Sequence, residues 1–339
     1  MRSAFSVSSK ARLGFLVVAV LRFEAGLGQA QEPPKQEQPK YTAEEYKAFQ
    51  EATTETDPAK KIALIVQFLK DRPQSTLRQH VIAAYQMQMN EFQSGKKWAD
   101  LISGGENFRT AVPDDIFTAS MLATGYQETK NLKQFVIYGE KVFEKDPTKG
   151  NTAYYLAKAY LDLKNDPKFL YWGEKTVAIL PENHEILLEL TKKFAEAKKN
   201  AQASKYGRMC IKAMQAATKP DGVPEKTWKD YNTHVFATCH YVVGHIAFEQ
   251  QDYNAAITSL ENSLKHYGKN DRAYYYLGQA YWQQAKIDLA MKSFAKAFLL
   301  QGPTSAPSKQ HLDNLYKTTH QNSLVGLERV IEKAKEELR

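Results

Sequence analysis

The chain has 339 residues, 43% of them apolar and 25% charged, with 17 Gly, 13 Pro, 19 Tyr and two Cys. Those fractions belong to a folded chain, so general disorder is excluded, and Cys210 and Cys239 alone make neither a disulfide framework nor a four-Cys zinc site. The formal net charge of +8 invites a nucleic-acid reading until its distribution along the chain is considered.

Arg2, Lys10 and Arg12 precede an unbroken apolar run at residues 13–21, LGFLVVAVL. A basic start, a short apolar core and then small residues are the layout of a secretory signal, and the run is too short for the roughly 20 residues a membrane-spanning helix needs. Gly28-Gln29-Ala30 puts small residues where a signal peptidase cuts, which predicts a signal peptide over 1–30 and a periplasmic or secreted mature chain. The rival is an organelle transit peptide, because residues 1–22 carry Arg and Ser and no acid. The first Cys is at 210, so nothing supports acylation of a mature N-terminus. Residues 1–30 hold four bases and one acid, and their removal lowers the net charge from +8 to +5. Lys-rich helix surfaces account for that remainder, and no nucleic-acid partner is expected. The segment QEPPKQEQPK (31–40) follows as a Pro/Gln-rich linker. Residues 41–81 then predict two amphipathic helices, YTAEEYKAFQEA and AKKIALIVQFLKDRP, as a degenerate helical pair.

From residue 82 the chain repeats with a period of 34. Gly105, Gly139, Gly173 and Gly207 recur at that interval, as do Pro113, Pro147 and Pro181. Leu122, Leu156 and Leu190 share the register, and so do Phe92, Tyr126, Tyr160 and Phe194. The glycines sit in repeated text: YGEKV, WGEKT, YGRMC. In the unit 150–183, Tyr154, Ala157, Tyr160 and Leu161 give one helical face, Asn165-Asp166-Pro167 breaks it, and Phe169, Trp172, Val177 and Leu180 carry a second helix. Gly inside a helix costs about 1 kcal/mol relative to Ala, so four at one position predict a close approach of helix backbones there.

Downstream, residues 271–304 present Tyr274, Leu277, Gly278, Tyr281, Ala290, Phe294, Ala297 and Pro303. This resembles the tetratricopeptide repeat (TPR), a 34-residue helix–turn–helix unit. The unit 237–270 offers Val243, Gly244, Ala247, Ala256 and Leu260 at the same positions. The resemblance covers four units over 82–217 and two over 237–304, and 305–339 should form C-terminal capping helices. It implies an all-α, right-handed superhelical solenoid of antiparallel helix pairs, of the type found in exported bacterial proteins. The step from Leu190 to Val243 is 53 rather than 34, so 19 residues are inserted at 218–236. The run Lys219-Pro220-Asp221-Gly222-Val223-Pro224 breaks the chain, and one long helix is predicted over 225–250, overhanging its neighbours by about three turns. It is either a joint between two blocks of units or a ledge for a partner.

That helix carries His234, Cys239, His240 and His245. A helical metal pair needs ligands three or four apart, whereas His234 and His245 are eleven apart and His240 and His245 five, so no metal site is expected. Cys210 falls where a unit has a small core residue, which predicts a buried free thiol, although export would permit a Cys210–Cys239 bridge between adjacent units. No phosphate loop, dinucleotide fingerprint or paired-His motif is present, and neither catalysis nor a cofactor is expected. In TPR-like units, positions 2, 5, 9 and 12 of the first helix face the concave groove. The resemblance therefore implies a peptide-binding face containing Tyr154, Lys158, Leu188, Lys192, Tyr241, His245, Phe248, Tyr275, Gln279 and Trp282. Aromatics interleaved with Lys suit an extended partner carrying acids. The expected function is a non-catalytic scaffold or adaptor of the cell envelope that binds a protein or peptide. A ligand-, metal- or redox-responsive module built on helix 225–250, and an architectural component that self-associates, are the alternatives.

Overall fold

The computed structural model describes residues 40–338, so the leader and residues 31–39 of the linker lie outside the described residues. Every regular element among the described residues is an α-helix, and consecutive helices pair. The N-terminal pair is α1 (Ala43–Thr54) and α2 (Pro58–Asp71). Four units follow as α3 (Arg78–Ser94) with α4 (Trp98–Arg109), α5 (Ile116–Glu128) with α6 (Leu132–Lys145), α7 (Gly150–Asp162) with α8 (Asp166–Ile179), and α9 (His184–Glu196) with α10 (Asn200–Ala216). Two more are α11 (Glu225–Glu249) with α12 (Tyr253–His266) and α13 (Asp271–Gln283) with α14 (Ile287–Leu299). The chain closes with α15 (Ser305–Thr319) and α16 (Leu327–Glu337). The architecture is a helical-repeat solenoid.

The turn inside each unit is set by one residue with positive φ just past the first helix: Lys96, Lys130, Lys164, Lys198, Gln251 and Ala285, with φ between 53° and 62°. At each of these turns a second N–H, one residue on, returns to the last turn of the first helix, as from Asn131 to Tyr126 O (2.8 Å), Asn165 to Tyr160 O (2.9 Å) and Asp252 to Ala247 O (2.9 Å). This is the six-to-one bond of a Schellman ending, which normally places Gly at the left-handed position. Asn131, Asn165 and Asp252 then cap the second helix by accepting the N–H three residues later.

The repeat glycines act differently from the sequence expectation. Gly105, Gly139 and Gly173 make room for a side chain rather than bring two backbones together, and at Gly207 the backbone carbonyl of Cys239 comes close as well. A Cβ on Gly105 would meet Leu122 Cδ2 at 2.8 Å, on Gly139 Leu156 Cδ2 at 3.0 Å, on Gly173 Leu190 Cδ2 at 2.9 Å, and on Gly207 Val243 Cγ2 at 2.9 Å. The aligned residue of the next unit, Leu in three cases and Val243 in the fourth, therefore occupies the space each glycine leaves. The last two units invert the arrangement. Their glycines lie on the first helix, and a Cβ there would meet Leu260 Cγ at 2.9 Å from Gly244, or the Phe294 ring at 2.9 Å from Gly278.

The Glu after three of those glycines ties unit to unit. Glu106 accepts from Tyr126 (2.9 Å) and Tyr138 (2.6 Å), and Glu140 from Tyr160 (2.7 Å), Trp172 Nε1 (3.1 Å) and Lys168 (3.0 Å). Glu174 accepts from Tyr206 (2.8 Å), and Glu261 of a later unit from Tyr281. Burial works against the charge of Glu140, yet its three donors hold its pKa below the ordinary carboxylate value.

The long helix is α11, Glu225–Glu249, and one face of its leading turns packs against the chain. Trp228 and Tyr231 stack on each other and pack edge-on or tilted against His184, whose Nδ1 lies 2.9 Å from the Tyr231 hydroxyl, and Val235 is fully buried. The added turns thus cover the start of α9 with one face, while Lys229, Asp230 and His234 stay exposed on the other. One buried cluster runs from Ala119 to Ile246 and the next begins at Ala247, so α11 contributes to both cores. At the C-terminus, α16 closes the last unit through Glu337, which bridges Lys292 (2.6 Å) and Lys296 (2.7 Å).

Candidate protein-interaction face

The first helices of successive units lie side by side, and the ten expected residues fall into three sectors on them. Between α7 and α9, Glu185 accepts from the Tyr154 hydroxyl (2.6 Å) and pairs with Lys158 Nζ (2.5 Å). Lys192 pairs with Glu189 on its own helix at 2.9 Å. Both lysines that were to attract an acidic partner are therefore already paired within the chain. Leu188 is only 4% exposed and belongs to the core, so it is removed from the face; position 5 of that unit points inward among Ile186, Leu187 and Leu190.

Between α11 and α13 the face is aromatic. Tyr241 and His245 stack at 5.9 Å, His245 lies 4.2 Å from Tyr276, and Phe248 packs against Tyr276 (5.4 Å) and Tyr253 (5.9 Å). Tyr241 lines two crevices. One, of about 380 Å³, is lined by Ala195, Glu196, Tyr241, His245 and Glu249; the other, of about 430 Å³, by Asp230, His234, Thr238, Tyr241, Tyr267 and Asn270. Burial pushes the Tyr241 hydroxyl up to about 12, so it remains a neutral donor at physiological pH. Burial also lowers His245, with Glu249 opposing and the Arg272 charge reinforcing that shift. The third sector, between α13 and α15, sets Trp282 (37% exposed) and Tyr275 around His311, at ring separations of 5.6 Å and 5.8 Å, with half-buried Gln279 on the same helix.

Sequence reasoning missed Glu185, Arg272, Tyr276 and His311. Position 2 of the first helix reaches Glu185 and Arg272 by the same register that gave the other residues, and it carries opposite charge in the two sectors. Tyr276 adjoins a chosen residue and would have needed the helix rotation to be known. His311 lies beyond the repeats, where no period applies.

The residues weighed for other chemistry are dispersed. His234 is exposed, while His240 stacks on His266 at 6.3 Å and Phe236 lies on the same His266 ring at 4.7 Å. Among the described residues no group of three or more His, Cys, Asp or Glu side chains could hold a metal ion. Cys210 and Cys239 are buried, free thiols. No helix among the described residues is long and apolar enough to cross a membrane.

Residues 242–306 match the tetratricopeptide repeat family model, so the chain carries tetratricopeptide repeats within its helical solenoid. No curated protein matches the chain. Similar solved structures include MamA 41-end from Desulfovibrio magneticus RS-1, at 17% identity and a TM-score of 0.39, covering 56% of this chain and 94% of that one. YrrB, described as a TPR protein with an unusual peptide-binding site, is 13% identical with a TM-score of 0.44, covering 61% of this chain and 96% of its own. PilW, described as a widely conserved type IV pilus biogenesis factor, is 15% identical with a TM-score of 0.32, covering 63% and 96% respectively. Identities and scores this low carry nothing of those proteins' activities to this chain.

Proposed function

We propose that this chain is a non-catalytic scaffold of the cell envelope that captures a protein segment on its first-helix face. The observation that carries the reading is the aromatic sector around Tyr241, where one neutral Tyr lines two crevices and Tyr276, His245 and Phe248 continue the surface. Rigid rings supply contact area at small entropic cost, and a hydroxyl held neutral donates to a backbone carbonyl of an extended partner. The charge for an acidic side chain comes from Arg272, which is exposed and lies near Tyr241 and His245, rather than from Lys158 or Lys192. Export rests on the leader at 1–30 and on the expected cut after Ala30.

The test is affinity capture from an envelope fraction with the wild-type chain, Tyr241→Ala and Trp282→Ala compared side by side. Capture should fall about tenfold or more in Tyr241→Ala, because truncating a central aromatic anchor costs at least about 2 kcal/mol. Helix content by circular dichroism should stay unchanged. Undiminished capture by both variants removes this face from consideration. Cell fractionation with N-terminal sequencing tests location separately, the expected mature chain beginning at Gln31.

A further inference from the structure

The seam between the two kinds of unit holds the chain's two cysteines, Cys210 on α10 and Cys239 on α11, each fully buried and free. Packing register brings them together. Gly207 has no side chain, and a Cβ there would stand 2.9 Å from Val243 Cγ2 and 3.7 Å from the Cys239 carbonyl oxygen. The two helices therefore approach closely at this level. Cys210 is three residues after Gly207, and Cys239 is four residues before Val243. In an antiparallel pair, one turn forward from Gly207 meets one turn back from Val243, which places the two Sγ atoms on facing sides of the same contact. Cys210 Sγ also lies 3.5 Å from the His184 carbonyl oxygen. The neighbouring Cys239 thiol, followed by burial, pushes the Cys210 thiol well up.

We propose that Cys210 and Cys239 are a disulfide site that staples α10 to α11 when the chain folds against an oxidising thiol couple. One cysteine thiolate attacks a sulfur of a small-molecule disulfide and expels one thiolate. The second cysteine then attacks the mixed disulfide and expels the other. Two protein thiols and one reagent disulfide become one protein disulfide and two reagent thiols; two electrons pass to the reagent, and both protons end on the released thiols. Thiolate is the attacking form, and burial disfavours it in the closed hairpin. The exchange therefore belongs to the chain before α10 and α11 close, or to a local opening of that pair. The closed loop contains the whole insertion 218–236, so the staple holds the one irregular step of the solenoid in register. It does not depend on the first-helix face.

The full chain, unfolded and reduced, is refolded in a mixture of oxidised and reduced glutathione, quenched in acid, then denatured and treated with N-ethylmaleimide. The intact mass should be lower by two hydrogens with no maleimide added, and a digest should join the peptides containing residues 210 and 239. The Tm should lie several degrees above that of the same chain kept reduced. Two alkylated thiols, or glutathione adducts in place of the bridge, overturn the proposal. A bridge that lowers the Tm also overturns it, because the native pair would then not accommodate the bond. Cys210→Ser and Cys239→Ser must each abolish both the mass change and the Tm gain. A gain retained by either variant would assign it to something other than the staple.

Discussion

Lys164 sits at φ 56°, a backbone conformation that costs a side-chain-bearing residue about 1–2 kcal/mol, offset in part by the greater freedom glycine has when unfolded. Lys164→Gly should therefore stabilise the chain by roughly 0.5–1 kcal/mol, read as a higher urea midpoint. Gly173 makes the opposite demand. Gly173→Ala puts a methyl 2.9 Å from Leu190 Cδ2 and should cost about 1–3 kcal/mol. If the glycine exists to house that side chain, combining it with Leu190→Ala should cost clearly less than the two single changes added together. Additive costs in a double-mutant cycle would instead assign the glycine to backbone contact. The residue scale is where the sequence was least legible. The recurrence of Gly and of Leu was visible, but that the Leu fills the space the Gly leaves across a unit boundary is a fact about packing, not about period.

The helix pairs were legible because three residue classes shared one register, and the long helix because no breaker interrupts 225–250. What the pattern did not disclose is which way the added turns lean. Trp228 and Tyr231 lie ten and seven residues before Thr238, too far ahead of the unit for its register to orient them, and only their contact with His184 shows that they close on α9. The same limit applies to the concave face, where Leu188 occupies a groove position by count yet turns into the core. Unit-to-unit coupling is where element-scale energetics can be tested. Glu140→Ala would leave the Tyr160 hydroxyl and Trp172 Nε1 without their acceptor, at a cost of about 1–3 kcal/mol. The loss should centre on α6–α8, so hydrogen exchange of those helices should accelerate while α13 and α14 remain protected.

Across the whole molecule, His184, His240, His245, His266 and His311 all have pKa values lowered chiefly by burial. Near His240 the positive neighbours His266 and Lys265 add to the effect; near His245 Arg272 adds and Glu249 opposes. A depressed histidine pKa means that the unfolded chain takes up protons first. The stabilisation is complete above about pH 6.5 and is lost as pH falls below it towards the folded values. The carboxylates move the other boundary. Glu140, Glu185 and Glu337 are all lowered, Glu337 to about 2 by Lys292 and Lys296, so their contribution declines only as pH drops below the ordinary carboxylate range. Melting curves between pH 7.5 and 3 should accordingly show two successive losses of Tm, and His266→Gln should reduce the first while leaving the second.

The inverted glycines give the two ends of the solenoid different kinds of dependence. Where Gly105, Gly139, Gly173 and Gly207 leave a gap, the filler arrives from the following unit; at Gly244 and Gly278 it comes from the same unit. In a linear array, stability divides into what each unit holds alone and what each boundary adds. At the first four of these glycines the packing partner belongs to the neighbouring unit, and at the last two to the same unit. A unit transplanted across Gly207 would meet either an empty socket or an occupied one, so the order of the repeats, and not only their number, is written into this chain.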